Sequence, residues 1–570
     1  MSTLEATGIV SRPHWALSCH DILCTIFEQF VVAEDTWYDH DTSIGDANSW
    51  FARRADTCRR RTLARCARVC KAFFVPAIAV LWRDVDNLSP LLTAVQSSLR
   101  SHAAAPMAVQ ASEQRMRISE YAQHIRAVYG LGKPSQASQQ DFSTLEACME
   151  AAPLLPQLQR LRWVQAVPSG TELLHLIPPS LHSLHIIFHQ SPTWSDSISP
   201  HSTPSEYELY VRSLLKEVTA RVPQLRYLRV STMGGIQESW VEPLCSLSSL
   251  ETVDLLERIY SEVRTSPLLS PLASLRNLQH LKLRLPAHLP PNMERNGFPS
   301  LESLTLDTMF APLRTVSAFL STVTSQRLSS LLIQGCECTT DAVTSSLYEA
   351  CDVVRARFAP SLRKFELSLR GVGPVVPHHQ PLVRTIEPLL DMHDLRDVCI
   401  SIAPEVAIVP ASEHDLERMA EAWPKATRLH LAYFPSAASP SLKDIAGFAQ
   451  HCLGLTDLVL PGIDASAAGG VDNIKLDAEP PSPAPSDSDS EHEGSECAGN
   501  GKAPHGLRSL CLSDSGWNSH IPDPMLLAKF LNALFPEVEW KCPPLASEHW
   551  RETIQEVMNL RIMRLVSQRG

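Results

Sequence analysis

The chain has 570 residues, of which 44% are hydrophobic and 20% charged, so it can bury a large core and should divide into more than one folding unit. Its formal net charge of -12 argues against general binding to nucleic acid or to an anionic membrane, because both need an excess of Lys and Arg on one face. The longest apolar run, at 73–82, is shorter than the roughly 18 residues of a membrane span, and the N-terminus lacks the pattern of a secretory signal, so we expect an intracellular, cytoplasmic or nuclear protein.

The N-terminal part of the sequence predicts a small helical module at 14–86, after a flexible N-terminus at 1–13. In SCHDILCTIFEQF, apolar residues at helical spacing predict a first helix. The segment TLARCARVCKAFFVPAIAVLWRDV predicts two further short helices, the second restarting after Pro76. The stretch at 31–61 predicts an inserted loop, and 87–120 predicts a linker or helical connection.

From about residue 155, one short apolar pattern, LxxLxL, recurs almost to the end of the chain. Its last two apolar residues lie two apart and therefore on one face of a short strand, with polar residues on the other face. One unit cannot bury this face alone, so stacked units are expected to form a parallel sheet over a continuous core. Stretches with helical periodicity, such as 205–222 and 413–423, fit the return connections of parallel strands. The copies begin at Leu158, Leu181, Leu225, Leu250, Leu278, Leu301, Leu328, Leu362, Leu395, Ala426, Leu455 and Leu507, and 124–130 is a degenerate earlier copy.

The predicted fold class is therefore α/β: a three-helix module followed, at 121–545, by an irregular leucine-rich-repeat solenoid of parallel strands with return helices. A Pro-, Ser- and acid-rich stretch at 463–505 interrupts the repeats and predicts a disordered insertion. At 546–570, apolar residues such as Ile554, Val557 and Met558 at helical spacing predict an amphipathic helix that caps the last strand.

The segments LSCHDILCTIF, LARCARVCKAF and LWRDV together resemble the F-box of fungal F-box and leucine-rich-repeat proteins, and the order of the parts is also that of this family. The resemblance implies that the helices bind the Skp adaptor subunit of a cullin–RING ubiquitin ligase, while the repeats hold a protein substrate. Two departures are His20, where the family usually has proline, and the long insertion between the first two helices. The alternative to adaptor binding, for any single residue and notably for Trp82, is that the side chain belongs to the module's own core. Carried over by position, the residues implied in adaptor binding are Leu17, Ile22, Leu23, Ile26, Phe27, Leu63, Val69, Cys70, Phe73, Leu81 and Trp82.

A second candidate surface consists of the residues that flank the inward leucines, because these residues point out of the opposite, predicted concave, face of the sheet. The early repeats are basic there, which suggests an acidic or phosphorylated protein partner held by charge-assisted hydrogen bonds. An ordinary solvated face is the alternative. The candidate substrate-binding residues are Arg160, Arg162, His185, Tyr227, Arg229, His280 and Lys282.

No motif of a nucleophile, a phosphate-binding loop or a zinc site occurs, so the sequence predicts no catalytic residues, no metal site and no cofactor. The leading hypothesis is a non-catalytic substrate-recognition subunit of a Skp–cullin–F-box ubiquitin ligase. The first alternative is a repeat scaffold without a ligase link, in which the N-terminal helices merely cap the repeats. A third interpretation, an enzyme built on a β-solenoid, would require carboxylates or histidines clustered on one face, and the sequence shows no such cluster.

Overall fold

The structure is a computed structural model, and it divides the chain into two compact units, residues 1–261 and 262–570. In the described part of the chain, no helix has both the length and the apolar content needed to cross a bilayer. The residues that the structure describes are 19–30, 47–86, 88–89, 91, 119–129, 153–165, 171–188, 206–232, 238–256, 269–289, 297–308, 311–338, 343–371, 381–403, 408–409, 414–435, 442–461, 506–513, 524–535, 539–540 and 548–569.

Three helices form the N-terminal module of the first unit: α1 (His20–Glu28), α2 (Ala47–Cys66) and α3 (Lys71–Arg83). Both α1 and α2 pack against α3 around a small shared core. The predicted loop at 31–61 is wrong in its second half, since α2 begins at Ala47. Residues 47–66 contain neither Gly nor Pro and are rich in Ala and Arg, which favour helix. The helix α3 also runs through Pro76 without the predicted restart.

The first unit contains a parallel sheet whose strands pair in chain order. The chain passes from Arg83 at the end of α3 directly into the first strand, so the sheet starts within the segment LWRDV and not at residue 121. Between the later strands lie the helices α4 (Glu172–Leu176), α5 (Glu206–Arg221) and α6 (Glu238–Val241). The strands are β1 (Asp84–Val85), β2 (Ala127–Val128), β3 (Arg160–Gln165), β4 (Ser183–Phe188), β5 (Tyr227–Thr232) and β6 (Thr252–Leu255).

The second unit repeats the same architecture, with parallel pairing from one repeat to the next. Two short strands, Ile408–Val409 and Phe434–Pro435, pair separately from the main sheet. Its strands are β7 (His280–Arg284), β8 (Ser303–Asp307), β9 (Ser330–Cys338), β10 (Lys364–Gly371), β11 (Asp397–Ile402), β12 (Ile408–Val409), β13 (Arg428–Ala432), β14 (Phe434–Pro435), β15 (Asp457–Pro461), β16 (Ser509–Ser513) and β17 (Glu539–Trp540). Its helices are α7 (Leu269–Ala273), α8 (Leu313–Leu320), α9 (Val343–Phe358), α10 (Leu382–Thr385), α11 (Glu387–Leu390), α12 (Asp415–Ala422), α13 (Leu442–His451), α14 (Pro524–Leu534) and α15 (Glu548–Arg569).

Each LxxLxL copy forms a strand, as predicted, and the strand begins two residues after the first apolar residue of the copy. In β4, for example, Leu184, Ile186 and Phe188 are buried, and the residues between them are partly exposed. Leu181, two residues before this strand, is fully buried as well. The leucine-rich-repeat α/β fold predicted from the sequence is thereby confirmed.

Serine hydroxyls just before the first leucine of a repeat connect neighbouring repeats. The hydroxyl of Ser249 donates to the carbonyl of Leu225, the first leucine of the preceding copy, at 3.0 Å. Ser180 and Ser361 do the same in their repeats, at 3.0 and 2.9 Å. These bonds satisfy carbonyl groups at the turn that no strand pairing reaches.

The acidic stretch predicted at 463–505 lies outside the described residues, as do the N-terminal residues 1–13. The strands on either side of this stretch remain in register, since Asp457 of β15 pairs with Ser509 of β16. The insertion therefore leaves the order of the repeats unchanged.

Candidate functional site

The first candidate surface is the three-helix module, and part of the predicted adaptor-binding set forms its core. Leu23, Phe27 and Leu63 are only 1%, 3% and 3% exposed, and the Phe27 ring meets the Phe73 ring edge-on, with centroids 5.7 Å apart. Three helices this short have few other apolar residues with which to build a core. The prediction that these three side chains contact a partner is therefore corrected: they stabilise the module itself.

Other members of the predicted set are partly buried or exposed. Phe73 and Leu81 pack against the core, and Trp82 stacks on Tyr121 with ring centroids 4.8 Å apart. Ile22 is half-buried, and Cys70 is exposed at the turn between α2 and α3. Leu17 lies outside the described residues.

Four large apolar side chains of the module are exposed to solvent: Ile26 (44%), Val69 (67%), Phe74 (39%) and Val75 (51%). We call these four residues the exposed apolar set. The sequence predicted Ile26 and Val69 as adaptor-binding residues but did not single out Phe74 and Val75. Helical spacing was the available signal, because Phe73, Ala77 and Val80 share the core-facing side of α3 and leave Val75 on the opposite side.

Cationic side chains lie beside the exposed apolar set. Arg65, Arg68 and Lys71 are exposed around the turn that carries Val69. A partner that covers this turn would match it best with an apolar surface bordered by acidic groups.

The second candidate surface is the outward face of the first unit, meaning the face of its sheet opposite the buried leucines. The strand register aligns Arg162, His185, Arg229 and Asp254 in one line across β3 to β6, which we call the outward row. Arg160 and Tyr227 lie in the neighbouring line, opposite the same residue of β4, Ser183. The structure thus brings together five of the seven predicted substrate-binding residues: Arg160, Arg162, His185, Tyr227 and Arg229.

Carboxylates from other strands of the same sheet offset the basic character of this face: Asp254 is on the strand next to Arg229, and Asp84 is two strands from Arg160. Arg229 pairs with Asp254 at 3.5 Å, and Arg160 lies 3.9 Å from Asp84. Tyr129 donates a hydrogen bond to the same Asp84 carboxylate at 3.2 Å. Burial raises the pKa of Asp84, while the guanidinium of Arg160 opposes this rise.

His185 lies between two arginines in the outward row. A ring nitrogen of His185, Nε2, is 3.1 Å from the hydroxyl of Ser231. Burial, followed by the positive charges of Arg229 and Arg162, lowers the pKa of His185 to about 2. Burial and the nearby Arg229 also lower the pKa of Arg162. His185 is therefore neutral at physiological pH and serves as a hydrogen-bonding group among cations.

This arrangement predicts that His185 makes the first unit sensitive to acid. The unfolded chain takes up the proton below the ordinary pKa of 6.5, whereas the folded chain does not, so stability is lost as the pH falls below that value. Between pH 7 and pH 5, the free energy of unfolding should fall by about 2 kcal/mol more for the wild type than for His185→Gln. Urea denaturation at the two pH values measures this difference, and equal losses in both proteins would contradict it.

The remaining two predicted residues, His280 and Lys282, belong to the second unit. Both lie on the outward face of β7, where Lys282 is exposed and is paired in register with Thr305 of β8. Acid–base pairing across strands recurs in this unit. Arg284 pairs with Asp307 at 2.9 Å, and Arg428 pairs with Asp397.

The outward face of the second unit also aligns Glu366, Cys399 and His430 on three adjacent strands. Burial and the neighbouring carboxylates of Glu366 and Asp397 raise the pKa of Cys399 to about 11, so its side chain is a neutral thiol and a weak nucleophile near neutral pH. Across the described residues, no group of three or more His, Cys, Asp or Glu side chains is placed to hold a metal ion.

The repeated strands and their parallel register define a leucine-rich-repeat fold that follows an N-terminal helical module. No protein-family model matches the sequence, and no curated protein is significantly similar to it. Solved structures that resemble the chain include a leucine-rich-repeat protein of Leptospira interrogans, LIC12759, at 14% identity, with a TM-score of 0.32 over 68% of this chain and 72% of that one. The TLR13–ssRNA13 complex matches at 16% identity, with a TM-score of 0.34 over 60% of this chain and 41% of that one. The yeast Rad7–Elc1 complex matches at 13% identity, with a TM-score of 0.31 over 68% of this chain and 93% of that one. The fold assignment rests on the strand order and register described above.

Proposed function

We propose that this chain is the substrate-recognition subunit of a Skp–cullin–F-box ubiquitin ligase, of the fungal F-box and leucine-rich-repeat type. Its N-terminal module would dock on the Skp-type adaptor, and its repeats would bind a protein substrate. Such a subunit performs no chemistry. It raises the concentration of substrate near the enzyme that transfers ubiquitin.

The exposed apolar set is the observation that carries this proposal. The module already has a buried core, so Ile26, Val69, Phe74 and Val75 are not needed to stabilise it. Val69, Phe74 and Val75 lie within seven residues of one another, and exposed apolar side chains that lie close together on a small helical unit are typical of a protein-interaction site. Docking of this kind depends on a few apolar anchors, which suits helices that meet a groove of another subunit.

The outward faces are the proposed substrate-binding surfaces. Ion pairs with Asp84 and Asp254 hold the guanidiniums of Arg160 and Arg229 in place, and ordered side chains lose less entropy when a partner binds. Arg162 and Lys282 add positive charge to these faces. An acidic or phosphorylated segment would bind there through charge-assisted hydrogen bonds.

Copurification of the full chain with a Skp-type adaptor subunit tests the ligase link. A stable complex that also recruits a cullin would support the proposal. A folded chain that fails to bind the adaptor at micromolar concentration would overturn it and favour the alternative, a repeat scaffold unconnected to ubiquitin transfer.

Substrate capture is tested by a charge change on the outward faces. We expect Arg162→Gln combined with Lys282→Glu to weaken binding of substrate proteins about tenfold, through loss of charge-assisted contacts. Quantitative mass spectrometry of proteins bound to wild type and variant measures the change. Arg226→Gln, which alters an exposed arginine whose ion partner is Glu251, is the matched control. Equal capture by all three proteins would remove these faces from the proposal.

A further inference from the structure

The C-terminal helix α15 packs one side against its neighbour and presents a second apolar side to solvent. Thr553 and Val557 are fully buried on the packed side, which faces α14. The guanidinium of Arg561 donates to the carbonyl of Phe535 at 3.2 Å and holds the helix in place.

The opposite side of α15 carries Met558, Ile562 and Val566, which are 52%, 58% and 66% exposed. Residues four apart lie on one side of a helix, so these three form a single stripe about 12 Å long. Gln555 begins this stripe and Asn559 borders it, and both are uncharged. A helix with apolar residues on two sides is normally covered on both.

We propose that this stripe binds the same stripe of a second copy of the chain, with the two α15 helices antiparallel and Ile562 on the two-fold axis. The proposal is independent of the ligase role. A symmetric pair requires a surface that is complementary to itself, and a continuous uncharged apolar stripe meets this requirement.

The sequence of α15 favours the antiparallel arrangement. With Ile562 opposite its own copy, Met558 faces Val566, and Arg569 lies at the level of Gln555. A parallel arrangement would instead place Arg551 and Arg569 at the level of the same residues of the other copy, and like charges would repel. Antiparallel helices also align their dipoles favourably.

The charges around the stripe fit a second copy better than a membrane or an acidic protein. Binding to anionic lipid relies on cationic residues along the polar border of the apolar side. Here the stripe itself is uncharged from Gln555 to Val566, and the cations on the same line, Arg551 and Arg569, lie beyond its two ends and not along its border. The chain as a whole carries a net charge of -12, which also disfavours an acidic surface.

A stripe of two to three helical turns buries less area than a standard stable interface, so the dimer should be transient, with a Kd on the order of 10–100 µM. Sedimentation equilibrium of the full chain from about 5 to 300 µM, a range set around that Kd, measures the monomer–dimer equilibrium.

We expect Ile562→Asp combined with Val566→Asp to weaken dimerisation at least about 30-fold, because two charges would be buried in an apolar contact. Leu453→Asp, at a site 72% exposed outside α15, is the matched control and should leave the Kd unchanged.

Disulfide cross-linking tests the register. Ile562→Cys should cross-link with its own copy under mild oxidation, whereas Met558→Cys alone should not, since Met558 lies opposite Val566. The wild type controls for the native cysteines. A monomeric wild type at 300 µM, a dimer unaffected by the two aspartates, or efficient cross-linking of Met558→Cys alone would each overturn the proposal. Binding of the wild type to phosphatidylserine vesicles that the two aspartates abolish would assign the stripe to a membrane surface instead.

Discussion

A chain that carries Val69→Asp and Phe74→Asp is expected to bind a Skp-type adaptor at least about 100-fold more weakly than the wild type, because interface affinity is concentrated in a few apolar anchors. Val69 is 67% exposed and Phe74 is 39% exposed, so neither side chain belongs to the module's core. Docking would bury the new carboxylates in an apolar contact, at a large cost in free energy. Isothermal titration calorimetry with the purified adaptor measures the change in Kd.

The matched control is Leu209→Asp, which alters an apolar residue on α5 of the same unit that is 55% exposed. It should leave the affinity unchanged. Phe27→Asp is unsuitable as a test, since Phe27 is 3% exposed and its replacement would unfold the module. Unchanged binding by a folded Val69→Asp and Phe74→Asp variant would show that the exposed apolar set does not contact the adaptor.

Trp240→Ala is expected to lower the free energy of unfolding of the first unit by about 3–5 kcal/mol, since it removes a large buried side chain and leaves a cavity. Trp240 is 2% exposed, and its ring centroid lies 5.9 Å from those of Phe188 and Tyr207. Phe188 ends the strand that also carries His185, so this aromatic cluster supports the outward row from the core side. Urea denaturation followed by circular dichroism measures the loss.

Trp240→Phe keeps an aromatic ring in the cluster and should cost less than half as much as Trp240→Ala, because the cavity is smaller. A loss below about 1 kcal/mol for Trp240→Ala would show that the surrounding side chains collapse into the space, and that the cluster contributes little to stability.

The positions of the repeat strands could be predicted from the sequence, because the LxxLxL pattern indicates both where the strand lies and which of its residues are buried. Each copy carries this information within six residues, so neighbouring repeats need not be known. The same local rule located β2 at 127–128 from a degenerate copy. Even β15 and β16, which are separated by the long acidic insertion, pair as the pattern indicates.

The charges of the candidate site could be predicted only in part, because their partners are distant in the sequence. Arg160 meets Asp84, which lies 76 residues earlier and was assigned to the helical module. Arg229 meets Asp254 of the next repeat only because the strand register places them side by side. A basic segment in the sequence therefore became a face of mixed charge.

In the helical segments, apolar spacing did not decide which side would be buried. The sequence predicted Met558 as part of the packed side of the last helix, whereas Thr553 and Val557 are buried and Met558 is exposed. Likewise, Phe27 and Ile26 are neighbours in one apolar segment, yet one is in the core and the other in solvent. Such choices depend on where the neighbouring helices pack, which a single sequence does not state.

The chain passes directly from Arg83 of α3 into Asp84 of β1. This connection sets the distance between the N-terminal helices and the later strands of the first unit. Adjacent strands are about 4.8 Å apart, so β3 to β5 lie roughly 10–20 Å along the sheet from the strand that follows the helices. A protein held by the helices and another held on these strands would then be kept at a separation determined by the number of repeats between them. Inserting one repeat before β3 would move the second protein about 5 Å further from the helices, because each added strand adds one inter-strand spacing.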